Sequence, residues 1–102
     1  MLLTLAAPAR IQVGAEEFRY TLSRQWINAG PAIVELANFG EDEHDLRLQR
    51  IGGRRVYRIQ TVPPGRIGEL EARFVPGRFR LWCSLADHRA RGMRAVLVVK
   101  RR

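Results

Sequence analysis

The stretch Cys83-Ser84-Leu85-Ala86-Asp87-His88-Arg89-Ala90-Arg91-Gly92-Met93 sets a thiol, an imidazole and a thioether on one short piece of chain. Four residues separate each from the next. Cys83 is the only cysteine among 102 residues, and the chain has just two histidines, His88 and His44. Thiolate, imidazole and thioether are soft and borderline donors, which suit copper rather than magnesium or calcium. Taken singly, each residue has a plainer reading. A lone cysteine is by default a small buried hydrophobe. A histidine on a basic loop is by default solvated, and a methionine opening a strand is by default core. All of them at this spacing, with the one remaining histidine upstream, are poorly explained that way.

Working outward, Pro76-Gly77 turns the chain into an alternating run. Phe79, Leu81 and Cys83 fall on one face, and Arg78, Arg80 and Trp82 on the other. The sulfur therefore starts at the edge of an apolar core, where a metal would be screened from water. Strand signals recur over residues 10–13, 18–22, 26–27, 32–37, 45–51, 56–62, 67–74 and 94–100. Asn28-Ala29-Gly30-Pro31, Gly52-Gly53 and Pro63-Pro64-Gly65 punctuate them as turns. No segment has helical periodicity, and there is no repeat, low-complexity run or linker. Roughly eight short strands, with turn signals every 8–12 residues or so, predict an all-β antiparallel sandwich or barrel. The length predicts one domain over residues 1–102.

Several pieces carry a family resemblance. They are Gly30-Pro31 entering a strand, Asn38-Phe39-Gly40 ahead of His44, Pro63-Pro64-Gly65, and the run from Pro76 to Cys83. Gly92-Met93 followed by Val96-Leu97-Val98-Val99 completes them. With the Cys-x4-His-x4-Met loop and the upstream histidine, residues 11–99 resemble the cupredoxins, the blue-copper family of plastocyanin, azurin and auracyanin. The resemblance implies a Greek-key β-sandwich with one mononuclear type 1 copper at one end. His44, Cys83 and His88 would form a trigonal plane, with Met93 on a long axial bond. It implies a small electron-transfer protein exported to the periplasm or the extracellular side of the membrane, and the chain is expected to be a monomer.

The resemblance also exposes two departures. In the family, the residue after the upstream histidine is commonly an asparagine tied to the hydroxyl residue after the cysteine. Ser84 keeps its half, but Asp45 occupies the other position. Aspartate accepts from Ser84, donates nothing, and brings a negative charge near the metal. Family members also surround the exposed edge of the loop histidine with apolar residues. Here Asp87, Arg89, Arg91 and Arg94 stand close by in sequence. The three arginines are expected to ring His88 and to face an acidic docking surface on a redox partner. The plainer alternative is that they only solubilise the loop.

Composition narrows the remaining classes. The formal net charge is +8, from 18 Lys and Arg against 10 Asp and Glu. A basic domain can bind nucleic acid, anionic lipid or an acidic protein. Nucleic acid is set aside, because there is no recognition-helix pattern, no aromatic RNA-binding strand motif and no glycine-rich phosphate loop. No apolar run approaches the ~20 residues that span a bilayer. Ala7-Pro8-Ala9 imitates a signal-peptidase site, but the run before it is short and lacks a basic residue. Residues 1–9 are read either as the mature end of an exported protein whose leader is not in this chain, or as a first strand. An enzyme of the multicopper oxidase or nitrite reductase kind needs further histidines, and none remain, so the chain is read as a non-enzyme. The alternatives to electron transfer are copper delivery or buffering, and a cupredoxin-fold interaction domain that holds no metal.

Overall fold

The computed structural model describes residues 7–102. Its strands are β1 Ala9–Glu16, β2 Arg19–Leu22, β3 Trp26–Asn28, β4 Gly30–Asn38, β5 His44–Arg50, β6 Val56–Val62, β7 Ile67–Phe74, β8 Gly77–Trp82 and β9 Arg94–Lys100. They form two sheets, in the orders β2-β1-β4-β7 and β3-β9-β8-β5-β6. The expected all-β sandwich is what forms. It has one strand more than the approximate count read from the sequence, and its sheets are mixed rather than purely antiparallel. β1 runs parallel to β4, and β3 runs parallel to β9. The reason these pairings escape a sequence reading is geometric. Side chains alternate with a period of two in parallel and antiparallel strands alike. The reading of residues 1–9 as leader or first strand lies, up to residue 6, outside the described residues.

Alternation builds the core. Ile11, Val13 and Ala15 of β1 and Ala32, Val34 and Leu36 of β4 line one inner face. Leu46, Leu48, Phe79, Leu81, Leu97 and Val99 line the other. Burying one such aliphatic or aromatic side chain is worth roughly 1.5–3 kcal/mol, so the shared inner faces hold the sheets together. At one end of the core the Phe74 ring packs edge-on to Tyr57 at 4.8 Å and to Phe79 at 5.2 Å.

The opposite end is shaped by an irregularity in β5. Its register with β6 shifts between His44 and Leu46. Consequently His44, Asp45 and Leu46 are all buried in succession, instead of alternating in and out. Such bulges re-aim side chains locally. Here the effect is to send both His44 and Asp45 toward the loop that follows β8.

Candidate metal centre

The loop from Cys83 to Met93 is fastened at both ends by the β8–β9 ladder. Trp82 pairs with Arg94 in register, and one step further the Cys83 N–H donates to the Met93 C=O at 3.1 Å. Cys83 keeps the inward side shared by Phe79 and Leu81 and is fully buried. Within the loop, the His88 N–H donates to the Leu85 C=O at 3.0 Å. The His88 C=O in turn accepts from the Arg91 N–H at 3.2 Å and the Met93 N–H at 3.0 Å. These tight turns fold the imidazole back over the sulfur. Gly92 permits them, because its φ of +128° lies in the region that side chains avoid, and a Cβ there would sit 2.7 Å from the Phe18 carbonyl oxygen.

His44, Cys83 and His88 offer ligand atoms that all lie within 4.8 Å of one another, and all three residues are buried. Cys83 Sγ stands 3.5 Å from His88 Nδ1. The rings of His44 and His88 are 5.0 Å apart. Among the described residues, His44 Nδ1 is the buried side-chain nitrogen that has no hydrogen-bond partner. Leaving such a group unsatisfied costs about 1–3 kcal/mol. Its other nitrogen is occupied, since His44 Nε2 lies 3.3 Å from Glu17 Oε1. One imidazole nitrogen held by a carboxylate and the other open beside a thiol is how a metal-ligating histidine is oriented. Met93 is fully buried beside this cluster. Two imidazoles, a thiol and a thioether match the type 1 copper ligand set. Burial pushes the Cys83 thiol up from its ordinary range, so copper must displace a proton to bind it as thiolate.

The aspartate that departs from the family pattern lies in contact with Ser84. Asp45 accepts from the Ser84 N–H at 2.7 Å through Oδ1, and from the Ser84 hydroxyl through Oδ2. Arg47 Nε lies 3.4 Å from the same Oδ2. The charge that Asp45 brings is thus partly met by a guanidinium. The Tyr20 hydroxyl donates to the Asp45 C=O at 2.5 Å, and burial raises its pKa so that the phenol stays neutral.

Three contributors were not legible as site residues. Glu17 accepts from the backbone N–H groups of Glu41 at 2.7 Å and Asp42 at 2.5 Å, besides holding His44. The Asp42 N–H is the main reason its carboxyl sits below the ordinary range, and the Glu41 N–H and His44 add to it. Phe18 packs its ring 5.1 Å from that of His88. Asn38 is buried and donates to the carbonyls of Asp42 at 2.8 Å and Val62 at 2.9 Å, which shapes the loop ahead of His44. Only Asn38 left a trace in the sequence, within Asn38-Phe39-Gly40. Nothing in the sequence says that the turn after β1 lies against that loop.

The three arginines are distributed unequally. Arg91 lies over the Phe18 ring at 4.3 Å and pairs with Asp87 at 3.8 Å. Arg89 lies over Trp82 at 5.0 Å, and Arg94 reaches the Arg89 carbonyl at 3.4 Å. The charged group within ion-pair distance of His88 Nε2 is Asp42, at 3.8 Å.

No protein-family model matches the chain, and no curated protein sequence is a significant match. Solved structures do match. Auracyanin A, described as a "blue" copper protein of the thermophilic photosynthetic bacterium Chloroflexus aurantiacus, is 14% identical with a TM-score of 0.74, over 92% of this chain and all of that one (100%). Dithionite-reduced auracyanin of Roseiflexus castenholzii is 15% identical with a TM-score of 0.73, over 92% of this chain and 98% of that one. Amicyanin of Paracoccus versutus is 20% identical with a TM-score of 0.62, over 94% and 85%. A multicopper oxidase also matches, at 15% identity and a TM-score of 0.69, but this chain spans only 45% of it. The fold of this chain is therefore the cupredoxin fold.

Proposed function

We propose that this cupredoxin-fold chain is a small one-electron carrier, not an enzyme, holding one copper ion through His44, Cys83, His88 and Met93. His44 carries the proposal: its Nδ1 is buried and unpartnered, within a cluster that contains the Cys83 thiol and the His88 imidazole. Copper supplies a reversible one-electron couple when bound. The chain's own residues do the rest. Cys83 gives up its proton and becomes the soft anionic donor. Glu17 and the Phe18 ring hold the two imidazoles in place. His88 is 8% exposed where His44 and Met93 are 0% and Cys83 is 1%. It is therefore the exit for an electron.

The deciding experiment is an absorption spectrum and voltammogram after adding cupric ion and removing the excess. An intense blue or green band with a reversible one-electron wave supports the proposal. A colourless protein that binds only cuprous copper supports copper delivery instead. Equal stability with and without copper supports an interaction domain.

Two variants probe the outer parts of the site. Met93→Leu is expected to keep copper bound and to raise the reduction potential, since loss of the thioether leaves the cupric state with less electron density. Voltammetry of the variant reads the shift, and loss of copper at equilibrium would make Met93 more than a weak donor. Glu17→Ala leaves two N–H groups without an acceptor and releases the His44 ring. Copper affinity is expected to fall about 10–100-fold, the usual cost of losing an outer partner. Competition with a chelator measures it.

The partner that fits is a redox protein docking over the loop, with acidic groups facing Arg89 and Arg91 beside His88. Opposite charge raises association rates by roughly 10–10³-fold at low salt. Electron-transfer rates with an acidic redox protein should therefore exceed those with a basic one, and Arg89→Glu with Arg91→Glu should remove the advantage. An exported, periplasmic setting goes with this reading on the likeness of fold alone.

A further inference from the structure

The basic charge is segregated by sheet. The strands of the four-stranded sheet carry Glu16, Glu35, Glu69 and Glu71 against Arg10, Arg19 and Arg73. The strands of the five-stranded sheet carry a single acid, Asp45, which is buried and taken up by Ser84 and Arg47. Alternation turns Arg47, Arg58, Arg78, Arg80, Arg94 and Lys100 to the outer face of that sheet. Register sets them side by side: Arg47 stands opposite Arg58 and Trp82, and Trp82 opposite Arg94. Among the described residues, Arg47 alone of the six is in an ion pair.

Large aromatic residues share this face with the cations. The chain has two tryptophans, and both are here. Trp26 is 45% exposed with Lys100 Nζ 4.5 Å from its ring centre, and Val96 beside Arg80 is 44% exposed. An open cleft of about 390 Å³ is lined by Arg80, Arg89, Arg94 and Val96, with Leu81 and Ala95 between them. The loop end mixes both signs, since Glu17, Glu41, Asp42, Glu43 and Asp87 stand in the segments around the metal cluster together with Arg89 and Arg91.

We propose that the outer face of the five-stranded sheet docks on an anionic phospholipid surface. Cations spread over a sheet face, with Trp26 on its edge strand and Trp82 between Arg47 and Arg94, match the headgroup region, where tryptophan sits at the interface and each Lys or Arg adds attraction. Lipid headgroups rearrange beneath fixed cations, whereas a folded acidic protein would need carboxylates in matching register. The face offers neither a recognition helix nor a stacked aromatic platform for nucleic acid. Cys83 directly follows Trp82 of β8 and Met93 directly precedes Arg94 of β9, so the metal cluster lies at the end of this sheet. The proposal does not depend on copper.

The test is flotation of the full chain with phosphatidylcholine vesicles, alone or mixed with phosphatidylglycerol. The protein should bind only the mixed vesicles, and high salt should release it. Tryptophan emission should shift to the blue on binding and be quenched by lipids brominated near the headgroup. The triple variant Arg58→Glu, Arg78→Glu, Arg80→Glu should weaken partitioning about a hundredfold or more. A charge-matched control, Arg10→Glu, Arg19→Glu, Arg73→Glu, changes the other sheet and should lose far less. All six side chains are on strand surfaces, and circular dichroism confirms that each variant folds. Equal losses in both triples would show that net charge alone acts and would overturn the proposal. So would absence of binding, or binding without any change in tryptophan emission. Tighter binding to duplex DNA or to an acidic protein, with the same dependence on Arg58, Arg78 and Arg80, would replace lipid with that partner.

Discussion

Replacing Cys83 by serine is expected to abolish the charge-transfer colour of the copper-loaded protein. The fall in copper affinity should exceed the roughly 10–100-fold that follows loss of an outer partner. The sulfur is 3.5 Å from His88 Nδ1 and buried with Phe79 and Leu81, so nothing else nearby can replace it. A hydroxyl is a hard donor that stays protonated, where the site needs a soft anion. Serine is close in size to cysteine, so the copper-free variant should unfold near the same denaturant concentration as the parent. That comparison separates loss of the ligand from loss of the fold. A Cys83→Ser protein that turned blue would overturn the assignment.

The second large effect is expected at Asp45. Asp45→Ala removes the acceptor of both the Ser84 N–H and the Ser84 hydroxyl, and it strips Arg47 of its carboxylate. Hydrogen bonds to charged groups are worth about 1.5–3 kcal/mol. The copper-free variant should therefore lose about 2–3 kcal/mol in denaturant unfolding. Asp45→Asn behaves differently. The amide oxygen can still accept from Ser84, so most of that stability should return. With a negative charge gone from beside the site, the reduction potential should rise modestly. An unchanged potential would mean that Arg47 already cancels the charge at the copper. Unchanged stability in Asp45→Ala would mean that water replaces the carboxylate.

The contact between Asp45 and Ser84 spans 39 residues, yet it was legible, because a family pattern already linked the two positions. Glu17 spans 27 residues to His44 and was not, because no pattern links it to a ligand. The strands show the same division. Residues 56–62, 67–74 and 94–100 coincide with β6, β7 and β9, where apolar and β-branched residues are dense and turn or loop residues bound each run. Residues 10–13 stop short of β1, because Gly14 and Ala15 carry too little apolar surface to extend the pattern.

By itself the sequence determined which residues alternate inward, where turns interrupt them, and that one loop carries three soft or borderline donors. These are local properties, set by side-chain period and by short covalent distances along the chain. Only the tertiary structure decided the parallel pairings of β1 with β4 and β3 with β9. It also decided that the β5 bulge re-aims His44, that Glu17 closes the second nitrogen of that ring, and that one sheet collects the cations. Each of these depends on which distant strands lie side by side. That choice is made by the burial of the shared core as a whole, to which no single segment of the chain holds the key.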